Sequence, residues 1–409
     1  MMFGQQGLPS PYRRFLLAFS IVALAVALAP TQVNLDATRT SGSSRGHGRH
    51  FDWHVQARPE NVTWGWLLVD KEPVVRIKSG DTVRIDTISH HGATQNDEPR
   101  AFLAPFGVAP EEVLQDVLDF WATRGQQPTA PPGSGLVRGP HVVTGPIFVR
   151  GAEPGDMLEI QIRDIELRVN YGINNTGPTS GVLATSYPGT VAGDPVPSGA
   201  RKLIRTAKVR GREVALFGPG VNVEIGPFMG TMGVAPPDPI PGPPVGAAMQ
   251  STRPPGVFGG NLDLKDLVAG TTLYLPVFRE GALFYTGDGH SVQGDGEVDG
   301  TAIEHSLTPT LRFVLHKNKL ISAPRAETET HFMVMGIDLD LDRALRKAVQ
   351  ETVDFLVAEK GVTPGDAYAL ASIATNYSIA EAVNLTQVVV GKIPKRIFDR
   401  RRGSGSDDR

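Results

Sequence analysis

Between Gly287 and Glu297 the sequence Gly-Asp-Gly-His-Ser-Val-Gln-Gly-Asp-Gly-Glu sets Asp288, His290, Asp295 and Glu297 among four glycines. Imidazole and carboxylate are the borderline-to-hard donors that bind zinc and similar divalent ions, and glycine lets a backbone turn sharply and approach a ligand closely. On an extended strand, Asp288 and His290 point to the same face, where they could grip one ion together. A polar hairpin loop is the plainer reading of the same segment. Asp295-x-Glu297-x-Asp299-Gly300 begins like an EF-hand calcium loop, yet Ser306 stands where the closing Glu is needed and no flanking helices are expected. From Gly65 onward no serine occupies a G-x-S-x-G elbow, and neither a P-loop nor a dinucleotide fingerprint is present. With no cysteine in 409 residues, thiolate metal sites, cysteine nucleophiles and disulfides are excluded, so any metal must use His, Asp, Glu or neutral oxygens.

The elements that must hold such a cluster read mainly as strands. Pro73–Ser89 alternates apolar and polar residues around Ser79-Gly80-Asp81, as a half-buried hairpin should. Ile147–Leu167 repeats the design around Glu153-Pro154-Gly155-Asp156, which suggests duplicated β elements within one fold. A third β-rich stretch, Thr271–Lys317, contains the glycine-acid segment. Val113, Val117, Leu118 and Trp121 fall at helical spacing and predict one surface helix over Pro110–Arg124. Leu341, Ala344, Leu345, Ala348, Phe355 and Leu356 predict an amphipathic C-terminal helix, and Thr363-Pro364 a further helix start; these helices are expected to end the chain. The 46 Gly and 33 Pro suit this loop-rich, mainly β (α+β) class. Pro- and Gly-dense segments at 126–139 and 235–256 read as long loops that serve function or oligomer contacts.

Forty Lys and Arg against 43 Asp and Glu give a net charge of −3, which argues against a nucleic-acid partner or binding to an anionic membrane by bulk charge. Arg13 and Arg14 precede an apolar run from Phe15 to Ala29 that is short for a bilayer span, the layout of a secretory signal. The chain is therefore divided into a signal peptide or N-terminal membrane anchor at 1–30, a flexible linker at 31–50, one catalytic domain at 51–395 and a disordered tail at 396–409. The expected location is exported, periplasmic or extracellular, with membrane contact only through an uncleaved N-terminus. Asn-x-Ser/Thr sequons begin at Asn61, Asn174, Asn376 and Asn384.

Gly287-Asp288-x-His290, Gln293-Gly294-Asp295-Gly296-Glu297 and Thr301-Ala302-Ile303-Glu304 resemble the acetamidase/formamidase family. So do His141–Ile162, Gly226–Pro237, Pro254–Leu267 and Thr272–His290, in the family's order, with a resemblance reaching from Gly65 to Pro394. The resemblance implies hydrolysis of a small aliphatic amide to ammonia and a carboxylate, and a β-sandwich-like fold of two interlocked β-rich parts with peripheral and C-terminal helices. It also implies a homodimer or higher homo-oligomer and divalent metal sites. The expected metal is zinc, with calcium as the alternative. A departure is Val390, which stands in the closing motif where an acidic residue is expected.

Amide hydrolysis requires an activated water, a polarised carbonyl and a proton for the departing nitrogen. On this reading Asp288 and His290 bind the metal with His141 and Asp263, and Glu297 or Glu304 is the general base. Phe228, Gly230 and Asn261 would shape a narrow substrate pocket. His141 has the alternative reading of a strand-end histidine and Asp263 that of a turn cap; His90 and His91 are further ligand candidates, for which a solvated pair in an insertion-like loop is the plainer reading. The competing functions are an exported, non-catalytic binding protein of the same fold, and a hydrolase of cyclic amides or other C–N bonds.

Overall fold

Strands dominate the chain, and two of its sheets share one core. The computed structural model describes residues 38–43, 50–177, 180–183, 200–237 and 249–398, which belong to the unit Leu35–Arg409. The expected leader at 1–30 lies outside the described residues, as do 399–409 of the expected tail. Within the expected linker, Thr38–Ser43 is a strand paired with His50–Val55.

A ten-stranded sheet and a six-stranded sheet both contribute to the main apolar cluster. Leu158, Ile160 and Phe313 come from the first, and Val143, Ile147 and Phe284 from the second. Phe284 and Phe313 meet edge to face across that core, 5.1 Å between ring centres. Such packing, with inward residues of two sheets interdigitating, is that of a β-sandwich. A smaller four-stranded sheet lies within 171–224.

The two repeated turn units are not hairpins. In the first, Val75–Ile77 pairs in parallel with Val142–Val149 in the six-stranded sheet. Its continuation Thr82–Ile85 pairs with Leu307–His316 in the ten-stranded sheet. The second unit repeats the crossing: Val142–Val149 belongs to the six-stranded sheet, and Met157–Leu167 pairs with the opposite edge of Leu307–His316. Alternation fixed which face of each strand is apolar but carried no information on the partner. The turns are built alike, since Asp81 accepts from the Lys78 amide at 3.1 Å and Asp156 from the Glu153 amide at 2.8 Å. Each unit therefore passes the chain from one layer of the sandwich to the other.

The helix expected over Pro110–Arg124 is broken. A single turn at Pro110–Glu112 is followed by extended Val113 and Leu114, and the helix proper is Gln115–Thr123. The break buries Val113 with Val117 and Phe120, while Glu112 pairs with Arg205. Near the C-terminus, Leu341–Lys360 is capped by Asp340 and closed by Gly361 at φ +67°, and Pro364–Ile373 begins at the Thr363 cap as expected. The chain does not end there. Asn376–Asn384 and Thr386–Pro394 return as a hairpin beside His331–Asp338.

The long C-terminal helix sits directly on that sheet because Gly336 has no side chain. A Cβ there would lie 2.1 Å from the Ala344 carbonyl oxygen and 2.2 Å from the Ala348 nitrogen. Neither backbone atom can yield as a side-chain tip would. Gly336→Ala is expected to lower the unfolding free energy by about 1–3 kcal/mol, the usual cost of overpacking. Urea denaturation checks it, and an unchanged midpoint would refute the contact.

Candidate active site

The site gathers at one end of the six-stranded sheet. Phe284–His290 runs antiparallel to Phe228–Gly233, with Phe228 opposite His290 and Thr231 opposite Gly287. That register sets Gly230 across from Asp288. Gly259–Asn261 pairs on the far side of Phe228–Gly233 and delivers Asp263 just beyond it. Val142–Val149 flanks Phe284–His290 and starts one residue after His141. Glu304 comes from an isolated bridge to His290, and Glu297 from the intervening loop.

All six proposed metal or proton-transfer positions, His141, Asp263, Asp288, His290, Glu297 and Glu304, converge. His290 Nε2 lies 3.3 Å from Glu304 Oε1, 3.5 Å from Asp288 Oδ1 and 4.0 Å from Glu297 Oε1. Its Nδ1 faces Asp263 Oδ1 at 3.8 Å. His141 Nε2 is 3.6 Å from Asp288 Oδ2, and its Nδ1 donates to the Thr252 carbonyl at 3.2 Å. That bond leaves Nε2 as the bare nitrogen facing the cluster, the usual support of a metal-ligating histidine. Glu297 and Glu304, seven residues apart, could have fallen on opposite faces; both turn inward.

Asp288, Asp263 and Glu297 all have positive φ, of +56°, +43° and +45°. Left-handed backbone is costly for residues with a Cβ, so surrounding structure must enforce it. Asp288 is therefore not on a regular extended strand, and its meeting with His290 depends on that local reversal. Gly230 makes room beneath: a Cβ there would stand 2.5 Å from Asp263 Oδ1 and 2.7 Å from Asp288 Oδ2. Phe228 braces the His290 ring edge to face at 5.1 Å. Phe228 and Gly230 thus lie under the cluster rather than lining its cavity, whereas Asn261 lines that cavity, of about 100 Å³.

His90 reads either as a ligand candidate or as a solvated loop residue, and the structure brings it to the cluster. The Ser89 cap and the short turn His90–Ala93 set its Nδ1 3.8 Å from Glu304 Oε2 and 4.0 Å from Asp288 Oδ1. His91 is stacked against it at 4.2 Å, and burial pushes its imidazole down to about 3. Asn384 was visible only as a sequon. It is buried, and its amide donates to Asp263 Oδ2 at 2.5 Å and Glu297 Oε2 at 3.4 Å. Glu381 accepts the Val383 and Asn384 amides, each at 2.9 Å, and so fixes that bend of the C-terminal hairpin. Asn61 is also buried and Asn174 is engaged with Asp299 and Thr301, whereas Asn376 is exposed.

Many donor atoms here lack hydrogen-bond partners: His90 Nδ1, both nitrogens of His290, Asp263 Oδ1 and Asp288 Oδ1. Buried polar atoms are rarely left so. Two groups, His90 with Asp288 and Glu304, and Asp263 with His290 and Glu297, each bring three such ligand types together. Orphaned imidazole and carboxylate atoms in this number fit a divalent cation. Burial pushes Asp263 and Glu304 up to about 7 and Glu381 up to about 8. Burial also opposes charge on Asp288, but His141 and His290 beside it hold its carboxyl well below the usual range. Burial keeps His90 and His141 neutral.

Fold and site together define a mainly β protein with a buried imidazole–carboxylate centre suited to divalent cations. The chain belongs to the Acetamidase/Formamidase family, whose profile matches residues 135–243 and 242–400. It is 30% identical over 203 residues to an acetamidase of Mycolicibacterium smegmatis, covering 39% of this chain and 49% of that one. It is 27% identical over 201 residues to a formamidase of Methylophilus methylotrophus, covering 39% and 47%. The matches thus span about half the length of these relatives. A crystal structure of an acetamidase from Bacillus halodurans superposes with a TM-score of 0.65 at 27% identity, covering 84% of this chain and 98% of that one.

Two tests follow from this geometry. Gly230→Ala should reduce bound divalent metal by about tenfold or more, the scale seen when ligand support is lost, while far-UV circular dichroism stays unchanged. Full metal content in that variant would place the ion elsewhere. The second concerns pH. In metal-free protein, Asp263, Glu304 and Glu381 keep protons that the unfolded chain has lost. Their contribution to stability is fully present below about pH 4 and is lost as pH rises through about 7 to 8. His90 and His141 are uncharged in both states above about pH 7 and do not oppose this. Chelator-treated protein should therefore unfold at lower urea at about pH 8 than at about pH 7, with zinc removing the difference. Equal midpoints in chelator would contradict the assignment.

Proposed function

We propose that the chain hydrolyses small linear amides to ammonia and a carboxylate at this centre, with a divalent cation, zinc, as cofactor. The observation that carries the reading is the convergence of His90, His141, Asp263, Asp288 and His290 with Glu297 and Glu304 beside a small cavity, in a chain of this family. Amides are poor electrophiles with poor leaving groups. A divalent cation held by these imidazoles and carboxylates would supply Lewis acidity toward the carbonyl and acidify water.

The chain's own residues then have defined tasks. Asn384 and the Thr252 carbonyl hold Asp263 and His141 in place, and Phe228 fixes the His290 ring. Glu297 and Glu304 both line the cavity, so either can take a proton from water and return it to the departing nitrogen. Glu304 Oε1 also accepts the Ala302 amide at 3.0 Å, and Glu297 Oε2 the Asn384 amide. The walls enclose about 100 Å³, which supports short amides over long ones.

The Arg13-Arg14 pair before the apolar run supports export through the N-terminus. Exposed Leu216, Phe217, Val221 and Val223 on one hairpin support a homo-oligomer.

Ammonia release from formamide, acetamide and propionamide by protein lacking residues 1–30, with metal measured on the same sample, tests the reaction. His290→Ala should lose both metal and turnover. Glu297→Gln and Glu304→Gln separate base from ligand: the base variant keeps its metal and loses roughly a hundredfold or more in kcat, while the ligand variant loses metal. A folded, metal-loaded protein that releases no ammonia from any amide would overturn the proposal.

A further inference from the structure

The cavity above the centre has an unusual wall. Pro140 and Val383 are the only apolar side chains among its described lining residues. Small-molecule pockets are mostly apolar with a few polar groups, so this one offers little to an alkyl chain. Ser180, Asn261, Thr301 and Asn384 present hydroxyls and amides instead. The remaining lining side chains are the acids and imidazoles of the centre, with one exception, Arg253.

Arg253 is exposed, and its guanidinium has no hydrogen-bond or ion-pair partner among the described residues. The backbone that carries it is nevertheless anchored. The amide of Arg253 donates to Ser251 Oγ at 3.4 Å, Pro254 and Pro255 follow, and the Pro255 carbonyl accepts from Thr386 at 3.0 Å. A Cβ on Gly139 would meet the Arg253 nitrogen at 2.9 Å, so the two backbones are packed together. Arg253 lines the same cavity as His141, Asp288, Glu297 and Glu304, which places it beside the centre. It is the one permanent cation among the described lining residues, in a cavity also lined by the carboxylates of Asp288, Glu297 and Glu304. A substrate anion has a single favourable orientation there, with its charge toward Arg253 and away from Glu297 and Glu304. The planar guanidinium fork matches a carboxylate in two hydrogen bonds.

We propose that Arg253 makes this cavity selective for short amides that carry a carboxylate, of the general form amide–short spacer–carboxylate. The inference rests on the amide-hydrolase reading and narrows its substrate class. The chemistry is unchanged: water gives its hydroxyl to the acyl carbon and a proton to the nitrogen as the C–N bond breaks. Malonamate would yield malonate and ammonia. Arg253 holds the far carboxylate and takes no part in proton transfer.

The test compares kcat/KM for malonamate with that for neutral malonamide, at fixed ionic strength, on metal-loaded protein. A charge-assisted contact of this kind is worth roughly ten- to a hundredfold, and that preference for malonamate is expected. Arg253→Met should bring the ratio near one, chiefly by raising KM for malonamate, and Arg253→Lys should keep part of the preference. No preference in the unaltered chain, or a preference that survives Arg253→Met, would overturn the proposal. If neither amide releases ammonia, the hydrolase reading fails by itself. Calorimetric titration with malonate then decides the recognition: binding that Arg253→Met abolishes sustains it, and equal binding or none overturns it.

Discussion

The structure turns on the burial of charge around His290. Asp263, Asp288, Glu297, Glu304 and Glu381 all lie within the protein, each less than a tenth exposed. Unpaired carboxylates inside a protein are strongly disfavoured, and so their charge must be met by protons, imidazolium or a cation. Burial opposes charge on His290, but Glu304 and Asp288 beside it hold its imidazole well above the usual range, whereas burial leaves His90 and His141 neutral, so one imidazolium faces five acids. What remains is a centre whose donor atoms face one another at 3.3–4.0 Å, with His90 Nδ1, both His290 nitrogens, Asp263 Oδ1 and Asp288 Oδ1 left without hydrogen bonds. The surrounding sandwich prevents its relaxation. Phe228–Gly233 and Val142–Val149 clamp Phe284–His290 from both sides, and three acids are held at positive φ. A rigid sheet end of this sort maintains a ligand set that a loop would let collapse into ion pairs.

The sequence exposed the local half of this arrangement. Asp288, His290, Glu297 and Glu304 fall within seventeen residues, and their chemistry was readable from type and spacing. Helix caps at Thr363 and the Ser79-Gly80-Asp81 and Glu153–Asp156 turns were equally local, since each depends on residues three apart. Partner choice was not local. Alternation around a tight turn is the same for a hairpin and for a chain that crosses between layers, and both repeated units took the second course. The break at Val113–Leu114 was hidden for a related reason: helical spacing continued through it, while Arg205, 93 residues away, holds Glu112 outside the helix.

His90 and the residues that support the cluster arrive from far along the chain. His90 precedes Asp288 by almost two hundred residues, and Asn384 bonds Asp263 across 121. A histidine pair in an insertion-like loop reads as surface, yet Phe102 and Leu103 of the following helix belong to the cluster packed over that segment. Asn384 carried the signature of a modification site, and only its hydrogen bonds reveal that it orients two acids. Such residues have no composition or period to announce them. Their role exists because Glu381 turns the C-terminal hairpin into the site.

That hairpin also explains why the cavity is polar. The Val383–Asn384 bend reaches in from the ten-stranded sheet, and the Ser251–Pro255 segment approaches it through the Thr386–Pro255 bond. Both are irregular backbone, which must satisfy its own polar groups and so brings hydroxyl and amide side chains with it. Apolar side chains of the sheets point instead into the shared core, where they hold the floor. The division leaves the floor to the acids and imidazoles of the centre and the wall to polar side chains and Arg253. Changes at Arg253 therefore alter the wall while the strands that fix Asp288 and His290 remain as they are, which is how one scaffold can keep its chemistry and vary its selectivity.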